Sequence, residues 1–334
     1  MPQLRITVRS AVAAGHLRSR IQVPFTHLQS CGDIGMVMSS ALDVCVEDSR
    51  AAYQKFHTDW DKRVAEEARI LRELKAGFVL SNVGYLPLAG ARLAGIPNAA
   101  LCSLNWADIY RHYCGDDAVA AQIQACYAEA DAFLRTTPGM AMHSLANLIT
   151  VAPIAAVGTN RRDELNDSMK LSPGEKLVLI SMGGIASRLP IECWPRIAGV
   201  RYLVQESWQA NHPDAIVLES LQTKNFCPGT RMDFGDLLAS SDALICKPGY
   251  GSFVEATCSG VPVLYVNRPD WPESPALIEW LQQQYMCREV SRLALEQGRI
   301  EEELKEIWNA YRPKPVVPTG AQQVAEWLAE KLDE

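Results

Sequence analysis

Short apolar runs recur along this chain, separated by longer stretches whose apolar residues fall at helical spacing. The first run, Leu4-Arg5-Ile6-Thr7-Val8, alternates like a strand. Gly77-Phe78-Val79-Leu80-Ser81 follows, and then Asn98-Ala99-Ala100-Leu101-Cys102, announced by Gly95-Ile96-Pro97. Between the first two, residues 46–74 read as one long helix. From 150 to 172 the composition changes to Pro, Gly, Asn and Asp with Arg161 and Arg162, which predicts a linker. Strand signals resume over residues 176–181, 202–204, 216–218, 243–246 and 263–266, and a helical pattern over 321–332 closes the chain. Strands apolar throughout and separated by helices need cover on both faces, so they predict parallel α/β sheets. The reading is two Rossmann-like doubly wound domains. Residues 1–150 form the first, 151–172 link it to a second over 173–320, and a terminal helix over 321–334 packs back on the first.

Length and composition agree, since 334 residues with 48% apolar content can build two cores. With 32 basic and 39 acidic residues the net charge is −7, which argues against nucleic acid as a partner. The charges balance at 14 each through position 160, and beyond it 18 basic face 25 acidic residues. Nine of those acidic residues lie from Glu296 onward, so the excess belongs to terminal helices and an anion must be held by a local device. Ten cysteines form no C-x-x-C pair and sit in apolar stretches, as expected of reduced core residues in a cytoplasmic protein. No apolar run is long enough to predict a transmembrane segment.

The strongest local signal is Cys246-Lys247-Pro248-Gly249-Tyr250-Gly251-Ser252-Phe253-Val254-Glu255-Ala256, set between an apolar strand and a helical run that ends at Gly260-Val261-Pro262. Gly249 and Gly251 allow close backbone approach, and the start of a helix offers unpaired N–H groups to an anion. Glu255 falls one turn into that helix, within reach of a pair of sugar hydroxyls. The competing reading is an ordinary strand-to-helix turn with a solvated glutamate. Met182-Gly183-Gly184 repeats the strand-to-glycine pattern after residues 176–181, and two such loops in one domain strengthen each other.

The stretch from Met232-Asp233-Phe234 and Asp236-Leu237-Leu238-Ala239-Ser240-Ser241-Asp242-Ala243, through Lys247-Pro248-Gly249-Tyr250-Gly251-Ser252 and Glu255-Ala256, to Gly260-Val261-Pro262-Val263-Leu264 resembles the donor-nucleotide segment of GT-B glycosyltransferases. It is most similar to the lipid II-forming N-acetylglucosaminyltransferases and to the glycosyltransferase-like domain of arabinokinase. The resemblance implies a metal-independent transfer of a sugar from a nucleoside diphosphate to an acceptor hydroxyl, with the sugar nucleotide as co-substrate and no other cofactor. It implies that Met232 borders the base, that Glu255 holds the ribose, and that Met182, Gly183, Gly184, Lys247, Gly249, Tyr250, Gly251 and Ser252 face the diphosphate and sugar. Asp270 and Glu273, in the loop Asn267-Arg268-Pro269-Asp270-Trp271-Pro272-Glu273, stand where relatives contact the donor sugar.

Relatives open with a strand running into a glycine-rich loop that ends in histidine, whereas this chain begins at what looks like their second strand. The first domain is therefore expected to lack its first βα unit and to carry an exposed sheet edge, a route to self-association. Ala13-Ala14-Gly15-His16 imitates the missing loop, and His16 reads as a surface histidine. The unknown acceptor is expected at loops following strands of the first domain, with Asn82, Tyr85, Asn105 and Trp106 as candidates and Asp108 or His112 as the base. Asp33 and Asp43 flank an apolar segment and carry no evident chemistry. Asp59-Trp60-Asp61 has the spacing of a metal-binding carboxylate pair, but residues two apart on a helix point about 200° from each other, so a solvated face is expected. Two other functions remain open: a sugar-nucleotide epimerase, suggested by Arg268-Pro269 and Pro272-Glu273, and a non-catalytic sugar-nucleotide-binding or regulatory protein.

Overall fold

All strand pairs in the computed structural model, which describes residues 4–30, 32–184, 188–218 and 232–333, are parallel. The chain divides into two units, one comprising Met1–Val37, Val44–Ala152 and Thr319–Glu334, the other Met38–Asp43 and Pro153–Pro318. No described helix is long and apolar enough to cross a membrane. The eight described cysteines are free, and Cys114, Cys126, Cys246 and Cys258 are buried.

The strands of the first unit are β1 (Ile6–Arg9), β2 (Phe25–Leu28), β3 (Val79–Ser81), β4 (Asn98–Cys102), β5 (Ala132–Thr136) and β6 (Leu148–Val151). They form two separate sheets, β1-β2 and β3-β4-β5-β6. One sheet with an outer edge was expected; the break instead falls between β2 and β3 in the chain and leaves four terminal strands. Ile6 on β1 and Leu80 on β3 are correspondingly exposed, at 36% and 41%. What ties β1 down is charge: Arg9 pairs with Glu67, a buried carboxylate on the helix Trp60–Glu73, and Arg5 donates to the carbonyl of Leu74 at 3.0 Å. The long helix read over 46–74 is two, Val46–His57 and Trp60–Glu73, because Asp59 adopts a left-handed conformation at φ 56°. The terminal helix Gly320–Asp333 belongs to this unit, where Gln323 accepts from the Ala152 N–H at 2.7 Å and Trp327 meets Phe78 edge-on.

The second unit holds β7 (Lys176–Ser181), β8 (Val200–Val204), β9 (Ala215–Val217), β10 (Ala243–Cys246), β11 (Val263–Val266) and β12 (Cys287–Val290) in the spatial order β12-β11-β10-β7-β8-β9. This is the doubly wound order of dinucleotide-binding sheets, and the winding reverses between β7 and β10. Both faces are covered, as the unbroken apolar runs require: Val178 and Ile180 lie in one buried cluster, and Leu177 and Leu179 in another.

Two boundaries differ from the sequence reading. The stretch read as a linker contains the helix Arg162–Met169, which buries Leu165 in the core of the second unit and sends Arg162 to Asp242. Residues 38–43, read as part of the first domain, belong to the second unit, where Ala41 is fully buried and Asp43 accepts from both terminal nitrogens of Arg292 at 2.9 and 3.0 Å. The linker is also pressed close at Gly158, where an added Cβ would stand 2.0 Å from the carbonyl carbon of Gly235 and 2.3 Å from the Asp236 nitrogen. Gly158→Ala is therefore expected to cost about 1–3 kcal/mol through overpacking, seen as a lowered unfolding midpoint in calorimetry. An unchanged midpoint would show that the linker moves freely.

Candidate functional site

The two glycine loops singled out by the sequence follow β7 and β10, adjacent strands on either side of the switch point. Ligands of open parallel sheets bind at the carboxyl ends of such strands. Lys247 leaves the end of β10 and runs between the loops: a Cβ on Gly183 would lie 3.7 Å from its Nζ, and one on Gly249 3.8 Å away. Burial, with the nearby Arg268 adding to it, holds the Lys247 ammonium below its ordinary pKa. Gly183 has φ +86°, a conformation that strains other residues. Gly249 caps the helix Tyr250–Ser259, and the first-turn N–H groups lack intrahelical acceptors. Among the described residues nothing lies within 4 Å of a Cβ built on Gly184 or Gly251. Helical spacing puts Gly251, Ser252 and half-buried Glu255 on one face.

Three of the expected donor residues have buried or already engaged side chains. Met182 and Met232 are 2% and 0% exposed and belong to the cores of the second unit, so only their backbones can face a ligand. The Tyr250 hydroxyl accepts from the Ile154 N–H at 2.8 Å, which makes its side chain a tie to the linker. Residues 185–187 and 219–231, which flank the first glycine loop and Met232, lie outside the described residues.

The loop after β11 adds a second cation, Arg268, which entered the sequence reading only through the epimerase alternative. Arg268 is 4% exposed, with its guanidinium 4.0 Å above the Trp271 ring and Nη2 3.5 Å from the Met38 sulfur. Trp271 donates its indole N–H to Glu273 at 3.2 Å, and Glu273 is itself buried. Asp270 is exposed. The loop thus separates its two carboxylates, one held beside the cations and one in solvent. Ser274 Oγ and Asn267 Oδ1 are buried without a hydrogen-bond partner among the described residues.

In the first unit most expected roles dissolve into structure. Asn105 caps the helix Trp106–Cys114: its Oδ1 accepts from the Asp108 N–H and its Nδ2 donates to the Asp108 carboxylate, both at 2.8 Å. Asp108 also accepts from Arg111 at 2.9 Å, so its oxygens are committed to a cap and an ion pair. His112 is exposed toward the far end of that helix, and Tyr85 is fully buried with its hydroxyl against His57 at 3.0 Å. Asn82 is exposed after β3. Trp106 donates its indole N–H at 2.7 Å to Asp33, a carboxylate that sequence reasoning set aside. Burial raises the Asp33 pKa, and the indole hydrogen bond only partly opposes the rise. No signal at the sequence level marks Asp33, because its partner lies 73 residues away.

Two Rossmann-like units, with two glycine loops at the switch point of the second, have the architecture of the GT-B fold. Solved structures agree over most of the length. The chain is similar to UGT89C1 of Arabidopsis thaliana, with 12% identity, 98% of this chain and 92% of that one covered, and a TM-score of 0.59. It is similar to the glycotransferase of kitacinnamycin at 15% identity, with 98% and 87% covered and a TM-score of 0.56. CalG4, the calicheamicin glycosyltransferase, matches at 13% identity with 92% and 83% covered and a TM-score of 0.54. UGT89C1 has also been solved in complex with UDP. Among curated proteins, L-arabinokinase of Arabidopsis thaliana is 25% identical over 303 residues, 84% of this chain; the chain spans 28% of the length of that relative. No protein-family model matches.

Proposed function

We propose that the chain transfers a sugar from a uridine diphosphate donor to an acceptor hydroxyl. One observation carries the reading: two glycine loops that are distant in sequence meet at the switch point with the Lys247 ammonium between them. Departure of a nucleoside diphosphate builds negative charge on its oxygens. A preorganised cation and the N–H groups of a helix start stabilise that charge where it develops. Glu255, on the same helix face as Gly251, takes the ribose hydroxyls, and the polar groups of Asn267, Glu273 and Ser274 take the sugar. The structure of UGT89C1 complexed with UDP supports uridine as the base on this fold.

Calorimetry against UDP-, GDP-, ADP- and dTDP-sugars tests the reading. A UDP-sugar is expected to bind most tightly, and Glu255→Ala is expected to weaken it by about 10-fold or more, the worth of charge-assisted hydrogen bonds to hydroxyls. Failure of every donor to bind, or undiminished binding by the variant, contradicts it. Incubation of the bound donor with no acceptor separates transfer from epimerisation, since only an epimerase returns an isomeric sugar nucleotide.

A further inference from the structure

Residues 38–43 belong to the second unit, although the chain on either side of them lies in the first. They form a loop closed on itself. The Ser39 N–H donates to the Asp43 carbonyl at 3.0 Å, and Ser40 Oγ accepts from the Leu42 and Asp43 N–H groups, each at 3.1 Å, while donating to Asp43 Oδ2 at 2.5 Å. Side chains anchor this loop at the carboxyl ends of β11 and β12. Ala41 is fully buried in one cluster with Val266 and Val290, the last residues of those strands, and Leu42 packs against the same cluster. Asp43 accepts from Arg292, which opens the helix Arg292–Glu296 just after β12. Exposed ion pairs contribute little, so Ala41 and Leu42 supply the adhesion and the pair with Arg292 fixes the direction. Because the strands of this sheet are parallel, the loops after β7 and β10 lie at the same end. Anchored there, Met38 offers its sulfur to Arg268, whose Nη2 donates to it at 3.5 Å while the guanidinium stacks on Trp271.

We propose that Met38 is a positioning residue of the donor site, acting by holding the Arg268 guanidinium near Lys247, where its charge adds to the field that favours a diphosphate. The inference rests on the glycosyltransferase reading and adds a residue to it. The charge of Arg268 reaches the site: after burial, it is what holds Lys247 below its ordinary pKa, while Cys246 and Glu273 act in the opposite sense. Burial keeps Cys246 a neutral thiol. The same charge, secondary to Arg292 and Ser40, helps to hold the Asp43 carboxyl low. A thioether suits the role. Its sulfur is a weak acceptor without charge, so this contact orients the guanidinium and leaves its field intact, whereas a carboxylate in the same place would oppose it. Guanidinium stays charged at every working pH and stacks on aromatic faces, so Met38 at an edge and Trp271 at a face fix a permanent cation.

Met38→Leu, Arg268→Gln and the double variant test the role, with UDP affinity measured by calorimetry from neutral to alkaline pH. Leucine keeps the volume and removes the sulfur acceptor, so the fold is retained. Met38→Leu is expected to weaken UDP binding by about 2- to 10-fold, the worth of one hydrogen bond. Arg268→Gln is expected to weaken it at least as much, and the double variant no further than Arg268→Gln alone, because Met38 acts through the guanidinium. The pH profile carries a second sign. With Arg268 displaced or replaced, Lys247 is lowered less, so the alkaline decline in affinity moves to higher pH in both single variants. Loosened packing alone leaves that limb in place. Should Arg268→Gln fail to fold, as its thermal melt would show, the limb in Met38→Leu decides. Additive losses in the double variant, or a limb unmoved in Met38→Leu, overturn the role of Met38 alone. Wild-type protein that binds no UDP overturns the glycosyltransferase reading, and this role with it.

Discussion

Gly251→Ala is expected to leave the second unit at least as stable as wild type while weakening UDP binding about tenfold or more. A Cβ at this position meets nothing within 4 Å among the described residues, and the Gly251 backbone lies outside the positive-φ region. By itself the methyl group therefore costs nothing and adds helix propensity, worth up to about 1 kcal/mol relative to glycine. Only a ligand drawn against the first turn of Tyr250–Ser259 would meet the new methyl. Thermal melts and calorimetric titrations on the same preparation separate the two effects. A variant that melts lower and binds UDP normally would make Gly251 a folding residue and take the diphosphate away from this turn.

Replacement of Lys247 by methionine is the second large effect. The methylene stem is kept and the charge is lost, so packing between Gly183 and Gly249 is largely preserved. A hydrogen bond from a cation to phosphate contributes about 1.5–3 kcal/mol, so UDP affinity is expected to fall by roughly 10- to 100-fold. The depressed pKa adds a signature in pH. Burial and Arg268 favour the neutral amine, so Lys247 loses its proton at lower pH than an exposed lysine does. UDP affinity should then decline as pH rises through that lowered value, whereas Lys247→Arg, charged throughout, should flatten the decline. An alkaline profile unchanged by both substitutions would place the anion elsewhere.

What could be read from the sequence, and what could not, follows from the range of the interactions involved. β4, β7, β10 and β11 match their predicted bounds because buried central strands write continuous apolar runs. β12, Cys-Arg-Glu-Val, is a sheet-edge strand with two exposed positions, and β2, Phe-Thr-His-Leu, alternates too weakly to stand out. The glycine loops were visible since a glycine turn between strand and helix is local to a few residues. Burial of Met182 and Met232, the tie from Tyr250 to Ile154 and the stacking of Arg268 on Trp271 depend on tertiary packing, which motif spacing does not encode. The same holds for the first unit. Asp108 looked available from its place in a polar loop, yet the adjacent Asn105 and Arg111 engage it, while Asp33 owes its raised pKa to burial and meets Trp106 from 73 residues away. Residues 38–43 carry no sign in their own text that they complete the core of the other unit.

In the proposed function the loops after β7 and β10 together hold a nucleoside diphosphate. Amide hydrogen exchange of the full chain with and without saturating UDP addresses it directly. Protection is predicted to concentrate in two separate stretches, around Gly183 and Gly184 and across Tyr250 to Ser252, and to be reduced at both in Lys247→Met at the lowest UDP concentration that saturates wild type. UDP that binds while leaving both stretches unprotected would contradict it.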